Sequence, residues 1–436
     1  MQKSLWSDTI TLPKYRKMDG DLKTDVLVIG GGICGILCAY FLKKAGIDCI
    51  LVEKQQIAQG TTCNTTGKIT AQHGLIYDYI IQHFGKETAQ KYYMANNTAI
   101  RYYEELCKNI DCDFKKITSY TYSMNRVEKI ENEIKALHSL GHPSQFFTSL
   151  PLPFHIAGAI GVENQAQCHP LKLIAHLVEN LNIYENTTVR QIMPHGVVCD
   201  EGKITAKKII VATHFPFINK HGSYFLKLYQ HRSYVIALEK AQNVNGMYID
   251  EAEGGLSFRN NNDLLLLGGC GQRTGKKCGN WEELIKLKNQ FYPNSKIQYK
   301  WATQDCMSLD KIPYIGPYSK RTPNLYVTTG FNKWGMTSSM VSAMILCDLV
   351  QGIKNDYADI FSPSRTILKP QLLVNGFETI SNFISPTAKR CPHMGCALTW
   401  NKAEHSWDCS CHGSRFKEDG TLLNNPATKN ADTIQK

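Results

Sequence analysis

Asp25-Val-Leu-Val-Ile29 is a short apolar run that leads without interruption into Gly30-Gly31-Gly32-Ile33-Cys34-Gly35. A helical stretch, Ile36 to Lys44, closes at Gly46, and a second strand-like run, Cys49 to Val52, ends at Glu53. Strand, Gly-x-Gly-x-x-Gly turn, helix, strand and terminal acid in this order describe a βαβ unit that binds a dinucleotide. Gly30 permits the tight turn, Gly32 lets the backbone approach the pyrophosphate, and Gly35 lets helix and strand pack closely. The helix N-terminus supplies N–H groups and partial positive charge for the phosphates. Glu53 stands where a carboxylate accepts the ribose hydroxyls, which a glycine-rich turn in a plain α/β protein would leave unexplained.

The last fifty residues carry a different chemistry. Cys391-Pro-His393 is followed, after fifteen intervening residues, by Cys409-Ser-Cys411-His412. Two such Cys-plus-His pairs can hold an iron–sulfur cluster asymmetrically, with thiolates on one iron and imidazoles on the other. Two cysteines and two histidines also build structural zinc sites, and the ligand set alone leaves zinc open. Zinc fingers, however, usually pair cysteine with cysteine and histidine with histidine. The whole run CPHMGC…CSCHGSRF resembles the Rieske cluster-binding loops of cytochrome bc-type complexes. The resemblance implies a [2Fe-2S] cluster on Cys391, His393, Cys409 and His412, a disulfide between Cys396 and Cys411, and histidines at an exposed tip. Complete Rieske domains add a basal β-sandwich for which little chain remains here, so the loops are expected to lean on the rest of the protein.

Further motifs decide between FAD and NAD. Leu325-Tyr-Val-Thr-Thr-Gly330 and Phe331-Asn-Lys-Trp334-Gly335-Met336-Thr337 precede an apolar helix to Val350. This resembles the C-terminal flavin motif of FAD oxidoreductases of the D-amino-acid oxidase (glycine oxidase-like) superfamily. The resemblance implies FAD, with Gly330, Gly335 and Met336 near the flavin ring and ribityl chain. Ile209 to Thr213, before His214, matches a family segment that has glycine at the histidine position, and Val189 matches the strand flanking the adenine. The implied fold is α/β: a discontinuous Rossmann-like FAD-binding domain (about 1–75, 155–225 and 300–352) and an inserted α+β substrate domain (about 76–154 and 226–299). The first inserted stretch, Tyr77 to Leu140, reads as helical. A linker over 353–385 and a small β Rieske segment over 386–430 complete the chain. A second glycine-rich run, Gly268 to Gly275, lacks the spacing and terminal acid of an NAD site and reads as a strand and turn of the substrate sheet, before a surface helix from Asn280.

The substrate side is read from residue chemistry. Superfamily members often clamp a substrate carboxylate with arginine, and Arg232, Arg259 and Arg273 lie in the expected substrate sheet. His73, beyond the loop that starts at Gly60, is a candidate to position substrate or take a proton. The expected activity is oxidation of a small-molecule amine or amino-acid-like substrate, with electrons passing from flavin through the cluster to an external electron carrier. A reductase fed by a ferredoxin-like donor through the cluster, or a non-catalytic redox sensor, are the alternatives. The net charge of +11 comes from scattered Lys and Arg residues, which argues against a nucleic-acid site and leaves room for an acidic partner. The chain shows no apolar run long enough to span a bilayer and no secretory leader, so a cytoplasmic location is expected. Twelve of the sixteen cysteines lie outside the cluster segment and form no Cys-x-x-Cys pair; they read as reduced, small apolar residues.

Overall fold

The computed structural model describes residues 3–218, 221–276, 281–385, 387 and 389–431. Asn280, the first residue of the expected surface helix, lies outside them; the helix runs over Trp281–Phe291.

Three sheets organise the chain. In the first, Asn182–Tyr184, Cys49–Val52, Leu22–Ile29, Gly202–Val211 and Leu325–Thr329 run parallel, and Tyr314–Pro317 closes the edge antiparallel. Val26 to Ile29 are buried, as continuous apolar runs in parallel strands require. The helices Ile33–Lys44 and Gly335–Gln351 share one apolar core against this sheet. Val189–Met193 and Gly196–Cys199 form a ribbon paired to Gly202–Val211.

The second sheet has nine strands. One half of it is the long antiparallel set Lys296–Ser308, Leu228–Glu239, Leu264–Arg273 and Ser257–Asn261, with Lys296–Ser308 at the edge. Met247–Asp250, Lys115–Ser123, Gly158–Gln167 and Lys68–Ile69 extend it, and Gln145–Phe147 pairs off Gly158–Gln167. Gly268 and Gly269 thus sit inside a strand pair, opposite Val235 and Tyr234, and make no nucleotide turn.

Strand pairing divides the chain differently from the expected boundaries. Gly158–Gln167 and Lys296–Ser308 belong to the second sheet, because both pair along their length with its strands before the chain crosses over. Lys115–Ser123 is a strand within the stretch read as helical; its Ile, Thr and Tyr residues suit a half-buried sheet. The expected linker contains a helix, Pro370–Ile384, with proline at its first turn.

The third sheet, Leu398–Asn401, Ser406–Cys409, Arg415–Lys417 and Leu422–Asn424, is a small antiparallel meander. Its core is little more than Leu398, Phe416, two alanines and the four cysteines. A buried ion network ties it to the second sheet: Glu404 bridges Arg232 and Arg415, and Arg415 also pairs with Asp408 at 2.9 Å. Burial works to raise the Glu404 carboxyl, but Arg232 and Arg415 overcome it and hold it at about 2. A carboxyl depressed below its unfolded value contributes stability that is present above pH ~4.5 and lost as pH falls towards 2. Acid is therefore expected to loosen the C-terminal segment over that window. Glu404→Ala leaves two buried guanidiniums without their shared partner and is expected to cost about 3–5 kcal/mol in urea unfolding at neutral pH.

Candidate functional site

A cavity of about 1090 Å³ opens between the first two sheets. Gly30, Gly32 and Glu53 line one end, and Thr188, Val189 and Arg190 flank it. A Cβ on Gly35 would stand 1.9 Å from the Gly30 carbonyl, and one on Gly30 would stand 2.6 Å from the Ala212 carbonyl. Gly30 also holds φ at +112°, where a side chain is strained. Glu53 accepts N–H bonds from Gly31 at 2.8 Å and Gln55 at 2.9 Å, which locks the turn while its carboxylate lines the cavity. The far end is walled by Trp334, Gly335 and Met336 at the start of the Gly335–Gln351 helix. Gly330 shapes the preceding turn at φ +71° without lining the cavity. His214 takes the position where the family has glycine and does so at φ +66°. These residues fit FAD: two closely approached turns, a carboxylate at the ribose end, and room for a flavin between sheets.

The cluster loops are two copies of one turn. Gly395 N–H donates to the Cys391 carbonyl and Gly413 N–H to the Cys409 carbonyl, each at 2.8 Å. The Cys391 thiol faces the N–H groups of His393 and Met394; the Cys409 thiol faces those of Cys411 and His412. The two thiols adjoin, and Cys409 pulls the Cys391 thiol below the usual thiol range against its burial. Cys396 and Cys411 form a disulfide that crosses the loops. The His393 and His412 rings lie 5.0 Å apart. His412 is 3% exposed, its ring lies against the Phe225 backbone, and its Nδ1 has no hydrogen-bond partner among the described residues. A buried, unpartnered ring nitrogen beside two adjoining thiols fits a [2Fe-2S] cluster, with one Cys and one His from each loop.

The imidazoles are not at an exposed tip. His412 packs against Phe215 and Phe225, at 6.3 and 6.5 Å between ring centroids, because its loop is docked on the flavin-binding chain. Arg273 donates to the Ser410 carbonyl at 2.8 Å and to the Cys411 carbonyl at 3.0 Å. Gln230 donates to His412 and Gln304 to Gly413, at 2.9 and 2.8 Å. Strand Leu228–Glu239 carries both sites on its alternate residues. Tyr229, His231 and Ser233 line the cavity, whereas Gln230 and Arg232 hold the cluster segment.

The four residues proposed from sequence for substrate handling are occupied elsewhere. Arg232 is spent on Glu404 and Arg273 on the cluster loop, since both point away from the cavity. Arg259 is fully buried against Gly67, Asn261 and the Trp6 ring. His73 is buried, with Nδ1 at 2.7 Å from the Tyr92 hydroxyl and Nε2 at 2.7 Å from the Thr70 carbonyl; burial lowers it to about 3. Its ring stacks on Trp334 at 4.8 Å and so steadies the cavity wall.

Residues that sequence reasoning missed line the chamber instead: His231, Glu253, Asp305, Lys333 and Lys68. His231 Nε2 is 3.1 Å from Glu253 Oε1, and its Nδ1 has no partner among the described residues. Burial raises the Asp305 carboxyl to about 6, against the pull of Lys333 and Arg232. Burial likewise lowers Lys68 to about 7, helped by Arg259. Only the alternation of the 228–239 strand, once its buried face is known, distinguishes His231 from its neighbours.

Two outcomes test the two seats. Gly35→Ala must push the Gly30 carbonyl aside and is expected to abolish the bound-flavin absorption of purified protein, while the iron content stays. Gly413→Ala places a Cβ 2.5 Å from the Gln230 side chain and is expected to lower the melting temperature of the cluster segment while flavin is retained.

The sequence matches the FAD dependent oxidoreductase family over residues 25–349 and the Rieske [2Fe-2S] domain over residues 369–435. It is 37% identical to the Bacillus subtilis (strain 168) chain named Rieske 2Fe-2S iron-sulfur protein YhfW, across 97% of this chain and 96% of that one. It is 23% identical to gamma-glutamylputrescine oxidoreductase of Escherichia coli (strain K12), across 78% of this chain and 86% of the relative. Glycine oxidase from Geobacillus kaustophilus shares the fold with a TM-score of 0.67 and 18% identity, covering 79% of this chain and 99% of that structure. The chain belongs to the FAD-dependent oxidoreductase family of D-amino-acid oxidase type and carries a C-terminal Rieske [2Fe-2S] domain.

Proposed function

We propose that this enzyme is a dehydrogenase of an amine or amino-acid-like substrate and delivers the electrons through its Rieske centre to an external carrier. One observation carries the reading: a single strand, Leu228–Glu239, presents Tyr229, His231 and Ser233 to the flavin cavity, while Gln230 and Arg232 between them hold the cluster segment. The cavity wall at Thr213 is also joined to the cluster segment by Asn425, whose Nδ2 donates to the Thr213 and Phe215 carbonyls at 2.8 Å each. Such a short path between the two seats serves electron sharing, which argues for a dehydrogenase over an oxidase that would hand electrons straight to O₂. A bound flavin accepts two electrons and releases them singly, and a [2Fe-2S] cluster takes one at a time. A substrate of this class is supported by the fold shared with glycine oxidase and by the amine chemistry in the name of the Escherichia coli relative. The cytoplasm suits the eleven free thiols that the described residues hold outside the cluster loops.

The chamber residues divide the work by charge. Glu253 holds the His231 Nε2–H, so Nδ1 is left as an acceptor, and burial keeps the ring neutral. A neutral imidazole there takes the proton of a substrate ammonium and leaves the free amine that flavin oxidation requires. Asp305 pairs with the incoming ammonium, and Lys333 offers a cation to a carboxylate.

The test is anaerobic mixing of the holoenzyme with a panel of amines and amino acids. Bleaching of the flavin band with growth of a reduced-cluster spin signal is expected for at least one of them. Bleaching only by a reduced carrier protein would reverse the direction of flow, and no bleaching by any small molecule would overturn the dehydrogenase assignment. With the active substrate, His231→Gln is expected to lower kcat by about 10²-fold or more. The kcat/KM profile should fall below pH ~6 as Asp305 protonates, and Asp305→Asn should remove that acid limb.

A further inference from the structure

The helix Pro370–Ile384 is amphipathic but is mounted inside out. Its polar residues face the protein: Asn375 accepts from Arg273 at 2.9 Å, Glu378 pairs with Lys276, and the Asn382 carbonyl accepts from Arg390 at 3.0 Å. Its apolar residues face outwards. Leu373, Phe377, Ile380 and Ile384 fall on one stripe at helical spacing and are 77%, 71%, 64% and 78% exposed, with Val374 and Phe383 beside them. Leu368, just ahead of the helix, is 81% exposed. A contiguous apolar ridge of this kind needs a covering surface, since scattered single residues are normal but a patch is not.

Charge selects the occupant. From residue 361 to 403 the chain has one acidic side chain, Glu378, against five basic ones, Arg365, Lys369, Lys389, Arg390 and Lys402. Glu378 is already paired and Arg365 is spent on Asp310, which leaves Lys369, Lys389, Arg390 and Lys402 to set a basic field around the ridge on a protein of net charge +11. A second copy would bring the same sign of charge to the contact, whereas an anionic bilayer attracts it. The helix has 15 residues, and no helix among the described residues is long and apolar enough to cross a membrane. A helix with this moment and length lies in the plane of the interface, apolar face down. We propose that Pro370–Ile384 seats the enzyme on an anionic lipid surface. The placement brings the first cluster loop to that surface, because a Cβ on Gly395 would stand only 3.5 Å from the Phe383 ring. The lipid seating goes beyond the proposed function and does not depend on it.

The test is flotation of the full-length holoenzyme with vesicles of phosphatidylcholine alone or mixed with phosphatidylglycerol. Wild type should float with the mixed vesicles, less so in high salt, and only weakly with phosphatidylcholine. Phe377→Glu combined with Ile380→Glu should weaken binding at least about tenfold. Leu373→Ser with Ile384→Ser is the gentler pair should the first disturb folding, and flavin and iron content checks that both remain loaded. Equal flotation of wild type and variants, or none by wild type, overturns the proposal. So does a dimer in size-exclusion chromatography that the variants dissolve without any vesicle binding, which would assign the ridge to a second copy.

Discussion

Four consecutive carbonyls, those of Ser410, Cys411, His412 and Gly413, accept hydrogen bonds from Arg273, Gln230 and Gln304 of the flavin-binding chain. The rest of the C-terminal architecture depends on this docking. A buried carbonyl left without a donor costs about 1–3 kcal/mol. With the carbonyls turned outwards and satisfied, the N–H groups of the same loop are free to turn inwards, and those of Cys411 and His412 meet the Cys409 thiol. The loop therefore has its metal-facing geometry imposed from outside.

That arrangement explains how so short a Rieske segment can stand. Its four strands enclose a core of few apolar side chains, and chains of this size generally need staples. Here the staples are the Cys396–Cys411 disulfide, the Glu404 network with Arg232 and Arg415, and the bonded carbonyls. The flavin-binding chain takes over the supporting task that a basal β-sandwich performs in a complete domain. A consequence is that the cluster seat is fixed relative to the flavin cavity by strand Leu228–Glu239. His214 continues the linkage, because its ring lines the cavity beside Gln230, which in turn holds His412. The strain of a histidine at positive φ is thus placed where the two seats meet.

Local chemistry was legible in the sequence. The glycine turn ending at Glu53 and the two Cys–His pairs depend on spacings of a few residues, which no tertiary context alters. Arginine roles were not legible in the same way. Arg232, Arg259 and Arg273 lie on the expected sheet, but a guanidinium's partner is set by what packs across from it, and in each case that is protein. His73 was misleading for the same reason, since its backbone and tyrosine partners are only brought together by folding. His231 and Asp305 carry no motif at all; they matter because their strands pair and face the cavity. The 370–384 helix lay within the expected linker, and its apolar residues face no core in the structure.

On the proposed function, flavin and cluster share electrons across one strand. Photoreduction of the bound FAD in oxygen-free holoenzyme, followed by freezing and electron-spin resonance, tests it most directly. Growth of the reduced [2Fe-2S] signal in step with bleaching of the flavin band, and its loss when Gln230 and Arg273 are both replaced by alanine, is the predicted result. A flavin that bleaches completely while the cluster of the intact protein stays oxidised would contradict it.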